Sequence, residues 1–190
     1  VRQLYQWQVE CLASCTNVVA GQQHLVYSAP TSGGKTLIAE ILILRRILQL
    51  NCCALFVLPY NSVVAEKTRS VSKFLHFAFM NTYILHVTSR CDYYFCSYFR
   101  SLLRTHNHLN SANPIRVCDL STRSLRKWTK RKTTAIGICT IEKSNKVLNQ
   151  YCLESTLNRL GVVVFDEFHM VQDLARGPTL EMAVAKILCW

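Results

Sequence analysis

Ala29-Pro30-Thr31-Ser32-Gly33-Gly34-Lys35-Thr36 decides the fold. A short apolar, β-prone run, His24 to Ser28, precedes it. Behind it, Thr36 to Leu50 repeats Ala39, Ile43 and Ile47 at helical intervals. A glycine-rich turn between a strand and a helix is the setting of a phosphate-binding loop. Gly33 and Gly34 let backbone N–H groups approach phosphate without a Cβ between them. The N-terminus of the helix adds partial positive charge. Lys35 is placed to reach the β- and γ-phosphates, and the Thr36 hydroxyl to ligate Mg²⁺. Ala29 stands where the general pattern has its first glycine.

Further along, Cys53 to Leu58, Ala135 to Cys139 and Gly161 to Phe165 read as strands that are apolar throughout. Ser62 to Phe74, Glu142 to Leu153 and Pro178 to Leu188 read as helices. Strands without polar alternation belong in a sheet covered on both faces, and helical crossovers make that sheet parallel. The expected architecture is therefore α/β, with a parallel sheet, helices on both faces and ligand chemistry at the carboxyl ends of the strands. Val162-Val163-Val164-Phe165-Asp166-Glu167-Phe168-His169 delivers two acids at such an end. Asp166 is placed to hold Mg²⁺, and Glu167 to orient and deprotonate an attacking water.

Composition bounds the partners. The chain has 190 residues, 22 Lys and Arg against 11 Asp and Glu, and a net charge of +11, which favours a polyanion such as nucleic acid. Arg123, Arg126, Lys127, Lys130, Arg131 and Lys132 form an acid-free basic cluster. The ten cysteines include no Cys-x-x-Cys pair, so free thiols in a reducing compartment are expected rather than disulfides or a metal site. The Leu37 to Leu50 run is too short to span a bilayer and carries Arg45 and Arg46; a soluble, intracellular protein with no membrane partner is expected.

These motifs resemble the first RecA-like lobe of the DNA polymerase theta-like repair helicases of superfamily 2. The resemblance rests on Trp7-Gln8, Ala29 to Thr36, Leu58-Pro59-Tyr60, Glu66-Lys67, Cys139 to Lys143, Asp166 to His169, and Arg176-Gly177 with Leu180-Glu181. It covers roughly residues 4–74 and 133–190, and implies a RecA-like P-loop NTPase lobe. By the same resemblance, ATP is bound by Gln8, Thr31, Ser32, Gly33, Gly34, Lys35 and Thr36, with Gln8 reading adenine. Mg²⁺ is implied at Thr36 and Asp166, with Lys35, Asp166 and Glu167 catalytic. Pro59, Ser62, Lys67, Thr140 and Lys143 are implied to touch nucleic acid, largely through phosphates. His169 and Arg176 would couple the nucleotide site to the rest of the motor.

The function so implied is 3′-to-5′ translocation on single-stranded or forked DNA in nuclear DNA repair. Other readings are an RNA helicase of the same superfamily, or a truncated nucleic-acid-binding product without productive hydrolysis. Such motors hydrolyse ATP between two RecA-like lobes. Residues 1–190 stop short of the second, so the lobe is expected to be incomplete at its C-terminus, to bind ATP weakly and to turn it over very slowly. Residues 75–118 are crowded with aromatics and carry no clean period, and the resemblance implies a shorter connection at this point. They read as an irregular insertion, either aberrant (translated non-coding sequence), lineage-specific, or an aromatic-basic nucleic-acid contact.

Overall fold

The computed structural model describes residues 4–19, 21–30, 33–80, 115–120, 128–129 and 134–189. Thr31, Ser32 and the whole basic cluster, Arg123, Arg126, Lys127, Lys130, Arg131 and Lys132, lie outside the described residues. Among the described residues, four parallel strands form one sheet: β1 (Cys53–Leu58), β2 (Arg116–Asp119), β3 (Ala135–Thr140) and β4 (Leu160–Phe165), in the order β2-β3-β1-β4. The helices are α1 (Gln6–Ser14), α2 (Thr16–Val19), α3 (Lys35–Leu50), α4 (Asn61–Met80), α5 (Ile141–Leu153) and α6 (Gly177–Leu188).

Alternation along β1 divides the core. Ala54, Phe56 and Leu58 pack with Ala39, Ile43 and Ile47 of α3 and Val64 and Val71 of α4. Cys53, Leu55 and Val57 pack with Val147, Leu148 and Tyr151 of α5 and Leu180 and Ala183 of α6. Every residue of β1 and β3 is buried, because both strands are interior to the sheet and helices cover both faces. The expected α/β architecture, with a parallel sheet and two helical layers, is the one observed. A third cluster seats α1 and α2 on the first turns of α3, with Trp7, Cys11, Leu12 and Val18 against Ile38 and Leu42.

Two expectations are corrected. His24 to Ser28 is not a strand of the sheet. Its side chains alternate: Leu25 and Tyr27 turn inward onto the α1–α3 cluster, and Val26 is 86% exposed. Side-chain packing on one face holds the segment, in place of a ladder of backbone hydrogen bonds. The supposed irregular insertion at 75–118 is regular at both ends. Helix α4 runs on to Met80, and Arg116–Cys118 belong to β2, paired in parallel with β3. The helix continues because Leu75 follows Val71 by one turn and stays buried. The remaining 81–114 lies outside the described residues.

Strand β4 departs more mildly from expectation. All six of its residues are half-buried, since among the described strands it lies at the edge, beside β1 alone. Among the described residues no helix is long and apolar enough to cross a membrane. Among the described residues, Cys15, Cys52, Cys53, Cys118 and Cys139 are buried free thiols, and no group of three metal-ligating side chains occurs.

Candidate nucleotide and nucleic-acid site

The register of β1 organises the site. Leu58 pairs with Thr140 on one side, and Val57 pairs with Phe165 on the other. Three segments therefore leave the sheet at its carboxyl edge together: Pro59-Tyr60, Thr140 to Lys143, and Asp166-Glu167. The Asp166 N–H donates to the Val57 carbonyl at 3.0 Å, extending the ladder one residue past β4. Its carboxylate accepts from the Glu167 N–H at 3.0 Å. Glu167 has φ 54° and ψ 46°, the left-handed region, which a non-glycine residue occupies only against a steric cost. That geometry turns its carboxylate back towards His169, whose Nδ1 lies 3.2 Å from Glu167 Oε2.

The Gly33 N–H donates to the Pro30 carbonyl at 3.0 Å. Gly34, at φ 76°, opens α3 in a left-handed conformation suited to glycine. A Cβ there would run into the Gln8 amide. The Lys35 ammonium donates to the Ala29 carbonyl at 2.7 Å and the Pro30 carbonyl at 3.4 Å, so it lies folded along its own loop. Tyr27 ties the loop to the helix by donating its hydroxyl to the Lys35 carbonyl at 2.9 Å. Burial pushes the Tyr27 phenol up from its ordinary range, and the Asp166 carboxylate adds to the shift.

Gln8 is 1% exposed. Its Oε1 accepts from the Tyr5 N–H at 2.9 Å, and its Nε2 donates to the Gly34 carbonyl at 3.0 Å. One amide thus caps the start of α1 and ties it to Gly34 at the start of α3.

On the other flank of β1, Arg176 gathers three partners. Its Nη1 donates to the Pro59 carbonyl at 2.6 Å, its Nε lies 3.3 Å from Glu142 Oε1, and its guanidinium sits 4.7 Å from the centre of the Tyr60 ring. Gly177 follows, packed so closely on the Val171 carbonyl that a Cβ would clash with backbone. Ser62 is exposed on the first turn of α4, Lys143 is half-buried on the first turn of α5, and Thr140 is buried as that helix's N-cap residue. Lys67 turns inward, ion-paired with Glu40 at 2.8 Å.

The structure therefore brings together Gln8, Gly33, Gly34 and Lys35, and separately Pro59, Glu142 and Arg176. Tyr27, Glu40, Tyr60 and Glu142 were not singled out as site residues from sequence. For Glu40 a signal was available, since it is the one acid in α3 and interrupts the apolar run from Leu37 to Leu44.

Fold and site together define a helicase-type ATP-binding domain. The family model described as "Type III restriction enzyme, res subunit" matches residues 2–187. DNA polymerase theta of Mus musculus is 36% identical over 188 residues, 98% of this chain and 6% of that protein. Helicase POLQ-like of Homo sapiens is 34% identical over 99% of this chain and 14% of its own length. ATP-dependent DNA helicase Hel308 of Thermococcus kodakarensis is 26% identical over 99% of this chain and 13% of its own length. The chain belongs to the family of the type III restriction enzyme res subunit, the helicase-type ATPases of superfamily 2.

Proposed function

We propose that this chain is the nucleotide-binding half of an ATP-driven motor that moves 3′ to 5′ along single-stranded or forked DNA and serves DNA repair in the nucleus. One observation carries the reading. A single strand end, Val57-Leu58, is flanked on one side by the acids Asp166 and Glu167 and on the other by Thr140 to Lys143. A shift at the nucleotide is then felt one strand spacing away, where phosphates of a nucleic acid would lie.

ATP is the substrate in this reading, with its phosphates on Gly33, Gly34 and the N-terminus of α3. The space a Cβ would fill at Gly33 is bounded by the Pro30 carbonyl and at Gly34 by Gln8, so the loop keeps its backbone bare for a close ligand. Lys35 exchanges its loop carbonyls for the β- and γ-phosphate oxygens. Thr36 and Asp166 supply hard oxygen donors, which fit Mg²⁺. When bound, that ion neutralises charge on the phosphate oxygens. Glu167 takes the proton of the attacking water, and His169 holds the carboxylate in place. Gln8 keeps one amide N–H and one lone pair for the adenine edge, at a position the start of α1 must open to expose. Pro59, Ser62, Thr140 and Lys143 form the phosphate-contacting face, with Thr31 and Ser32 completing the nucleotide loop.

Turnover also needs a charge from a second RecA-like lobe. Such arginines are worth on the order of 10³–10⁵ in rate in phosphoryl transfer. The test is equilibrium binding of a fluorescent ATP analogue and of a labelled oligo(dT), compared between the chain and Lys35→Ala. Loss of nucleotide binding with oligonucleotide binding retained supports the reading. Equal affinity for RNA and DNA would shift it to an RNA helicase. Unchanged nucleotide binding in Lys35→Ala would overturn it.

A further inference from the structure

Glu40 and Lys67 connect two helices that the proposed function uses separately. Glu40 lies one turn beyond Thr36 on α3, the helix opened by the phosphate loop. Lys67 lies in the second turn of α4, whose first turn carries Ser62 of the phosphate-contacting face. Their side chains meet at 2.8 Å and are 14% and 16% exposed. The Lys67 ammonium also sits 5.6 Å from the centre of the Phe56 ring, on the strand beneath both helices.

Around this pair the helices pack on β1 through apolar side chains, among them Ala39, Ile43, Val64, Val71, Phe56 and Leu58. Apolar contact is non-directional and tolerates small sliding movements. A charge pair withdrawn from water tolerates none, because separating the partners leaves each charge desolvated and uncompensated. The pair therefore fixes α4 to the nucleotide-loop end of α3, where apolar packing alone would not. An ammonium so engaged is also withheld from the phosphates of a nucleic acid.

Resting on the function proposed above, we propose that Glu40 and Lys67 are positioning residues forming a strut that transmits nucleotide occupancy from the phosphate loop to the nucleic-acid face, and that Lys67 does not itself contact nucleic acid. The experiment uses the whole chain and a labelled oligo(dT), with its Kd measured with and without a non-hydrolysable ATP analogue and across a salt series. The variants are Glu40→Gln, Lys67→Met, and the exchanged pair Glu40→Lys with Lys67→Glu, which keeps an ion pair if either single variant folds poorly.

For the unaltered chain the nucleotide should change the oligonucleotide Kd by about fivefold or more, the lower end of ordinary coupling between sites. Each single variant should bring that ratio close to one, and the exchanged pair should restore it. The salt dependence of Lys67→Met should match the parent. A phosphate contact would instead lower the slope of log K against log salt by about 0.7. A lowered slope, or single variants that lose thermal stability while keeping the full ratio, would overturn the strut. So would a ratio of one in the parent. Failure of the parent to bind oligonucleotide at all would instead remove the functional reading on which the strut depends.

Discussion

Arg176→Ala removes three interactions at once, and their sizes can be worked from the geometry. The guanidinium bond to the Pro59 carbonyl, at 2.6 Å, is charge-assisted, a kind worth roughly 1.5–3 kcal/mol. The contact with Glu142 is 3.3 Å long and its acid is half exposed, so about 0.2–1 kcal/mol is the appropriate range. Stacking on Tyr60, itself 49% exposed, adds about 0.5–1 kcal/mol. Truncation also frees an ordered side chain and lets water reach the Pro59 carbonyl, so the lower part of the combined range applies, about 2–3 kcal/mol. In a domain of this size each kcal/mol moves the midpoint by roughly 2–4 °C, so Tm should fall by roughly 5–10 °C, as read by circular dichroism. Arg176→Lys should recover about half of that, since an ammonium cannot serve the carbonyl, the acid and the ring in one planar fork. A fall in Tm of less than about 2 °C on Arg176→Ala would refute the view that this residue holds the Pro59 and Glu142 segments together.

Two other outcomes follow from the same structure. Glu167→Gly should relieve the left-handed strain at φ 54° and raise stability by about 1 kcal/mol while abolishing any hydrolysis, seen as a higher Tm with lost phosphate release; a lower Tm would mean the carboxylate's contact with His169 outweighs the strain. Stability should decline as pH rises above about 9, the range in which unfolded thiols and then phenols ionise. Burial raises Tyr27, Cys139 and Tyr151, and raises Cys15 to about 11. A raised folded value means the neutral form is the one the fold prefers. The stabilisation is therefore complete below the unfolded value and is lost as pH climbs towards the folded one. Tm measured from pH 7 to 11 should fall on the alkaline side, and a flat profile would count against the burial of these groups.

The amino-acid sequence by itself determined the strands at Cys53–Leu58, Ala135–Thr140 and Leu160–Phe165 to within a residue or two, and the helices behind them. Those segments are long, strongly patterned and buried by neighbours of like character, so local pattern and tertiary environment agree. The glycine-rich turn before α3 and the Asp166-Glu167 pair at the end of β4 were likewise legible in the sequence, because each is a run of adjacent residues next to a patterned element. Tertiary structure decided what depended on partners far away in the chain. His24 to Ser28 has the composition of a strand, yet its hydrogen-bonding neighbours are not set by its own residues, and it packs by its side chains alone. Arg116–Asp119 is a strand because β3 lies beside it, although the four residues carry too short a pattern to show it. Lys67 is the sharpest instance. A lysine in a segment that the resemblance places against nucleic acid reads as a phosphate contact, whereas the partner it has here, Glu40, lies on another helix. Only packing α3 and α4 on one face of the sheet turns that side chain inward, since a charge near a core is held by whichever opposite charge the fold brings to it.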